Sequence, residues 1–461
     1  MVLLPFAAAY HLSWVTYTVN ALIADHLSKD LALSSTELGL VSASYVLGMA
    51  IAQIPLGGLT DRHGPRVVQA VCCCIAAAGA LVFASASSLP LMLVGRLLLG
   101  IGSATAFTAG AHAIARWFPA ERAAFATGLF VMLGSLGAVT ATWPAQVTVD
   151  ALGWRLTFVL MACPFLLCAA LTYAVVPDAG SDGSDQPKTT GRGLGGVVSD
   201  RRFLKLAPVS ALTIGTAWSL QSLWAGPWLA QVEGHNHSGV VNVLFAMAVT
   251  LSLAGLVFGA VVQWVQRMGI GLEKLFASIL LVFLSAQLAL VMNLHIPALL
   301  PWIVIASIGS VTVVSYSILA TYVSKSHLGR ATAALNLAHL STAFAIQGVF
   351  GGVIDLASAA ERQPAAHRTA LTLILALEFS GWVWFVVPAS WTTQRARPPR
   401  PFSPQVLSAH PGFPNRYSAA RLDWNRLLTE VDDQVRAWRM AALSSMTVLF
   451  VLATIVVPRD W

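Results

Sequence analysis

Charge is scarce in this sequence. Lys, Arg, Asp and Glu together supply 10% of its 461 residues, against about 25% in soluble domains, which excludes an ordinary water-soluble globule. Cysteine is scarce too. The five cysteines, at 72, 73, 74, 163 and 168, lie inside apolar stretches with no C-x-x-C pair, so they are expected to pack as small side chains rather than to bind metal or form disulfides. There is no phosphate-binding Gly-Lys-Ser loop, no H-E-x-x-H and no serine nucleophile elbow. ATP-driven pumping and hydrolytic chemistry therefore have no support, and a non-enzyme without cofactor or metal is expected. The first apolar stretch has no basic segment ahead of it and is expected to stay in the mature chain.

Long apolar runs are abundant. Hydrophobic residues make up 57% of the chain, and runs long enough to cross about 30 Å of hydrocarbon as helix recur along it. Six fall near 6–26, 38–60, 67–88, 91–115, 123–148 and 156–176, and six more near 206–231, 240–265, 273–293, 298–323, 331–356 and 369–391. The expectation is an all-α polytopic membrane protein. Its domains would be an N-terminal six-helix bundle (1–176), a Gly-, Ser- and Asp-rich cytoplasmic linker (177–205), a C-terminal six-helix bundle (206–391) and a basic, Pro-rich linker (392–420). Residues 421–461 would add an amphipathic helix and a short thirteenth transmembrane helix, the alternative for 441–458 being a membrane-embedded hairpin or a docked helix.

The loops after even-numbered runs, with the central linker, hold thirteen Lys and Arg, and the opposite loops hold four. That asymmetry predicts that the amino terminus and the loop 57–66 are cytoplasmic, and the expected location is the inner (plasma) membrane of a bacterium. The net charge of +7 sits in these loops and in the tail, so membrane lipid rather than nucleic acid is the expected partner, and a monomer is expected.

The two halves echo each other. Asp61, Arg62 and Gly64 are matched 205 positions later by Gln266, Arg267 and Gly269, Arg122 is matched by Arg330, and Asp150 by Asp355. Three echoes at nearly one offset point to duplication of a six-helix unit.

The segment "GGLTDRHGPR" carries Gly57, Leu59, Asp61, Arg62, Gly64 and Arg66, and the fourth run carries "GRLLLGIGSA" with Arg96. With "DALGWRLTF" at 150–158, these stretches resemble the signature motifs of the major facilitator superfamily over residues 1–391. The resemblance implies a secondary transporter that moves a small solute by alternating access. It further implies a latch in which Asp61 pairs with a nearby base, here Arg116, within the group Gly57, Asp61, Arg62, Gly64, Arg66 and Arg116. Subfamily is left open: the fifth run has Gly134 and Ser135 where antiporters of the superfamily carry Gly-Pro, and the second and eighth runs lack the arginines of nitrate carriers.

Candidate substrate or cavity residues are Arg96, His112, Trp218, Gln221, Tyr316 and Asn336. A guanidinium inside an apolar run is costly unless it meets a partner or a cavity, and Arg96 tilts the expected solute toward an organic anion, although it could equally pair with a backbone carbonyl. Trp218, Gln221, Ser222 and Ala225 share a helical face, ahead of an interruption expected at Gly226–Pro227. His11, Asp25, His339 and Glu378 are proton-coupling candidates. For the histidines a packing role is the alternative, for Asp25 a solvated surface position, and for Glu378 a paired or protonated structural carboxyl. A non-transporting sensor or scaffold and an uncoupled facilitator are the rival functions.

Overall fold

A computed structural model describes residues 2–118, 120–177, 200–294, 297, 299–323, 325–358 and 363–387. Most of the expected central linker, and the whole of the expected tail from 392 on, lie outside the described residues. Among the described residues the fold is helical throughout, with ten stretches long and apolar enough to cross a membrane. The protein is an integral membrane protein.

The helices are α1 (Leu3–Thr18), α2 (Asn20–Leu31), α3 (Ser35–Ala84), α4 (Leu89–Ser103), α5 (Ala106–Trp117), α6 (Ala120–Thr140), α7 (Trp143–Val175), α8 (Arg201–Ser219), α9 (Ala225–Gln231), α10 (His237–Arg267), α11 (Leu272–Val291), α12 (Leu299–Ile308), α13 (Thr312–Tyr322), α14 (Lys325–Ser358) and α15 (Gln363–Val386). A π-helical segment, Leu220–Trp224, joins α8 to α9. The ten stretches and the twelve expected runs differ in two places. Residues 3–31 divide into α1 and α2 at Val19, whose backbone stays in the right-handed helical region, and the fifth and sixth runs fall in one stretch, Leu129–Val175, that bends at Gly153, where φ is +77°.

Local chemistry sets the boundaries. Ser34 opens α3 with a capping box, its hydroxyl accepting the Glu37 N–H while the Glu37 carboxylate accepts the Ser34 N–H. Asn236 caps α10 by accepting the Gly239 N–H at 2.8 Å. The second and third runs, expected as separate helices, are the two limbs of α3, parted by a kink at Gly64, where φ is +76°. Gly269, 205 positions on, has φ of +71°. Both echoed turns use a left-handed backbone that glycine adopts without a Cβ clash.

By its contacts the chain divides into Met1–Phe379 and Ser380–Trp461. Of the second unit only residues 380–387, the end of α15 and one residue beyond, are described. Within the first unit, α4 packs along both limbs of α3, α7 packs on α3, and α1 packs on α6. The core there gathers Val15, Tyr17, Tyr45, Phe83, Leu99, Trp154 and Phe158. Of the cysteines, Cys72, Cys73 and Cys168 are buried, Cys74 and Cys163 are exposed, and all five are free thiols.

Helices from before and after residues 178–199 meet along a seam at one end of the bundle, the end expected from the loop charges to face outside and called outer below. Asp355 of α14 accepts the N–H groups of Ser35 and Thr36 at 3.0 and 2.7 Å, at the start of α3 where helix N–H groups lack partners of their own. Backbones touch here. A Cβ on Gly39 would lie 2.4 Å from the Gln347 carbonyl oxygen, and one on Gly226 would lie 2.1 Å from that of Ala21. Small residues allow such close helix approach in membranes.

Candidate functional site

Arg96 stands in α4 with no exposed surface. One amino group, Nη1, donates to the Thr16 carbonyl at 2.9 Å. The guanidinium carbon lies 5.0 Å from the Tyr45 ring centroid and 5.6 Å from that of Phe83, within cation–π range. The other two nitrogens, Nε and Nη2, are buried and make no hydrogen bond. These two donors form the side-on edge of the guanidinium, the edge that binds a carboxylate or similar planar anion through two parallel bonds. Among the described residues no carboxylate pairs with Arg96.

A chain of side chains leads from this arginine across the seam. Tyr45 stacks on Tyr17 with centroids 5.6 Å apart, and the Tyr17 hydroxyl donates to the Trp218 carbonyl at 3.2 Å. The Trp218 indole N–H donates to the Gly309 carbonyl at 3.1 Å, and its ring lies 6.0 Å from that of His339. His339 is fully buried, with Nε2 2.9 Å from the Ser210 hydroxyl oxygen. Its ring lies 5.9 Å from Tyr316, whose hydroxyl donates to Asn336 Oδ1 at 3.2 Å. Arg96, Trp218, Tyr316, Asn336 and His339 thus belong to one connected polar and aromatic group.

Gln221 sits on the π-helical segment, 5% exposed, with both amide atoms lacking a partner. It borders a cavity of about 10 Å³ shared with Thr18, Thr142 and Leu244, room for about one water molecule. The interruption expected at Gly226–Pro227 lies upstream instead. Gly226 and Pro227 are inside α9, and the irregular turn is Leu220–Trp224. Pro227 has no N–H, and its ring crowds the carbonyl four residues back, at Leu223; the widened π turn holds that carbonyl. Ser222 on the same turn accepts the Gln347 amide N–H at 2.7 Å.

The other expected residues lie elsewhere. In His11, Nδ1 bonds the Leu133 carbonyl at 3.1 Å and Nε2 lies 3.0 Å from the Thr140 hydroxyl. A carbonyl only accepts, so Nδ1 carries a hydrogen here, and both ring nitrogens have partners. His112 is exposed. Asp25 is exposed and pairs with Lys29 at 2.8 Å. Glu378 is fully buried beside Gln287. Of the expected latch, Arg62 is exposed, Gly64 makes the kink, and Arg66 lies over the Tyr173 ring at 4.5 Å. The Asp61–Arg116 pair, like Gly57, falls outside the described side chains.

Beside the outer end, Asp30 accepts both the Trp154 indole N–H and the Arg155 guanidinium at 2.8 Å. The indole donor, followed by the arginine, holds this carboxyl below the usual carboxylate range. Thr16, Tyr17, Tyr45 and Ser210 are site neighbours that sequence reasoning missed. Hydroxyl-bearing residues recur in the runs that hold them, a signal too common in membrane helices to single them out.

Residues 6–346 match the family model described as Major Facilitator Superfamily. Among curated proteins, the chain is 27% identical over 161 residues to the probable sulfoacetate transporter SauU of Cupriavidus necator, covering 35% of this chain and 37% of that one. It is 31% identical over 165 residues to the nitrite extrusion protein of Bacillus subtilis, covering 36% and 40%. The chain thus spans about two-fifths or less of the length of these relatives. Among solved structures, the nucleoside transporter NupG superimposes with a TM-score of 0.68 at 12% identity, covering 83% of this chain and 99% of that one. A bacterial homologue of the human lysosomal transporter Spinster gives 0.63 at 18%, covering 83% and 95%.

Proposed function

The chain belongs to the Major Facilitator Superfamily, and on that footing we propose that it is a secondary transporter of a small organic or inorganic anion, working by alternating access in the plasma membrane of a bacterium. Two six-helix halves, 1–176 and 206–391, rock about a site between them, with the amino terminus in the cytoplasm. The observation that carries the choice of cargo is the free edge of Arg96. A buried guanidinium with two parallel donors unpartnered is costly to hold in a membrane interior, and an anion in the site offsets that cost. The relatives named for sulfoacetate and nitrite handle anions, which favours the same class here.

The arrangement of the site supports the cycle. In this state the outer seam is closed through Asp355, Gly39 and Gly226, and Tyr17 ties the Arg96 side to the Trp218 side. An anion engaged by Arg96 on one side and by the Trp218, Tyr316, Asn336 and His339 group on the other would be released as the halves part. The latch that the family resemblance implies for Asp61 and Arg116 would serve the opposite, cytoplasmic end, and coupling to protons would drive the cycle.

Counterflow in proteoliposomes tests this. With nitrite, nitrate and sulfoacetate as probes, saturable exchange of at least one is expected, together with accumulation that follows an imposed pH gradient. Exchange that ignores the gradient would identify an uncoupled facilitator. No exchange with any small anion, in protein shown to be folded, would overturn the reading and favour a sensor or scaffold.

A further inference from the structure

Glu378 lies in α15 with no exposed surface, facing Gln287 of α11 and Thr216 of α8. The Gln287 amide N–H donates to Glu378 Oε2. The other carboxyl oxygen, Glu378 Oε1, and the amide oxygen, Gln287 Oε1, are both buried without a partner. The Thr216 hydroxyl already donates to the Leu212 carbonyl at 2.9 Å. Among the described residues no charged group acts on the carboxyl: α11 offers an amide and α8 a hydroxyl.

That inventory does not suit an ionised carboxylate. A carboxylate has acceptors only, and so does an amide oxygen, so Oε1 of each residue would stay unsatisfied in a medium where each unmet polar group is costly. A single proton changes this. A carboxylic acid donates through its O–H, and a primary amide offers one donor and one acceptor side by side. With a proton on Oε1, Glu378 donates to Gln287 Oε1 while Gln287 Nε2 donates back to Oε2. The two side chains then close a reciprocal ring that satisfies both orphaned oxygens and carries no net charge.

We infer that Glu378 is a proton-binding site, occupied in this outer-closed state, with the proton held between Glu378 Oε1 and Gln287 Oε1. The loaded ring ties α15 to α11 beside Thr216, two residues before Trp218 and four before the π-helical segment. An unloaded site would set a bare negative charge against the wall of the candidate anion site. The proton occupancy rests on the donors and acceptors that Glu378 and Gln287 offer each other, whatever the cargo.

Infrared spectroscopy of the full-length protein in lipid at neutral pH tests it. The difference spectrum between wild type and Glu378→Gln should show a protonated-carboxyl C=O stretch that shifts in deuterated water. Gln287→Leu should move that band to higher frequency, because the acid loses its hydrogen-bond partner. A carboxylate band in place of the acid band would overturn the inference, as would an acid band unmoved by Gln287→Leu. Should either variant fail to fold, isotope labelling of glutamate in the wild type decides: no deuterium-sensitive acid band would sink the proposal.

Discussion

The carboxylate of Asp355 accepts the backbone N–H of Ser35 at 3.0 Å, and its second oxygen accepts the N–H of Thr36 at 2.7 Å. The carboxylate joins residues 320 positions apart in sequence and sits where the dipole of α3 favours negative charge. Hydrogen bonds to a charged group contribute about 1.5–3 kcal/mol, and Asp355→Asn replaces one acceptor with a donor aimed at an N–H. The variant should raise the outer-open population roughly tenfold or more. Spin labels at positions 26 and 237, read by pulsed dipolar spectroscopy, would report it as a longer distance.

Arg96→Lys tests the cargo site. Lysine keeps the charge but loses the planar fork and its side-on edge. Anion affinity in counterflow should fall about tenfold or more, for the loss of charge-assisted bonds in a dry site. Unchanged kinetics at equal expression would reduce Arg96 to a helix-packing residue bonded to the Thr16 carbonyl.

Gly226→Ala should prop the seam open. Its Cβ would fall 2.1 Å from the Ala21 carbonyl oxygen, and that oxygen is backbone, so α2 and α9 must part. Overpacking of this kind costs about 1–3 kcal/mol. Because the clash exists only when the seam is closed, the expected readout is the longer label distance with thermal stability largely retained. A lowered melting temperature without a change in distance would contradict it.

Asp30 sets a pH dependence. The Trp154 indole and Arg155 hold its folded-state carboxyl below the ordinary value, which is about 3.9. Its contribution to stability is therefore complete above that ordinary value and is lost as pH falls through the lower, folded-state value. Melting temperatures of wild type and Asp30→Asn should differ at neutral pH and converge in strong acid. A difference that persists at the lowest pH would assign the effect to packing instead.

The helical class was legible in the sequence because an apolar run of span length has few other uses, and the turn at Gly64 because glycine follows a charged pair there. The break in the seventh run was legible only as a neighbourhood. Gly226 and Pro227 announce an irregularity, but the proline acts on the carbonyl four residues back, so the widened turn formed at Leu220–Trp224. The free edge of Arg96 was not legible at all. It depends on which nitrogen Thr16 occupies and on where Tyr45 and Phe83 stand, and these come from three separate stretches of chain brought together by packing. Gln287 left a fainter trace, an amide in an apolar run, whose meaning needed Glu378 opposite it.

Asp150 is the repeat counterpart of Asp355, yet it accepts a bond from Gln146 on its own helix, while Asp355 reaches across the seam. Among the described residues the seam is therefore bolted by a carboxylate beside α3 and α14, whereas Asp150, its counterpart on α7, ties only its own helix. If the seam parts as proposed, the edge without such a carboxylate would give way first and the Asp355 edge would act as the pivot.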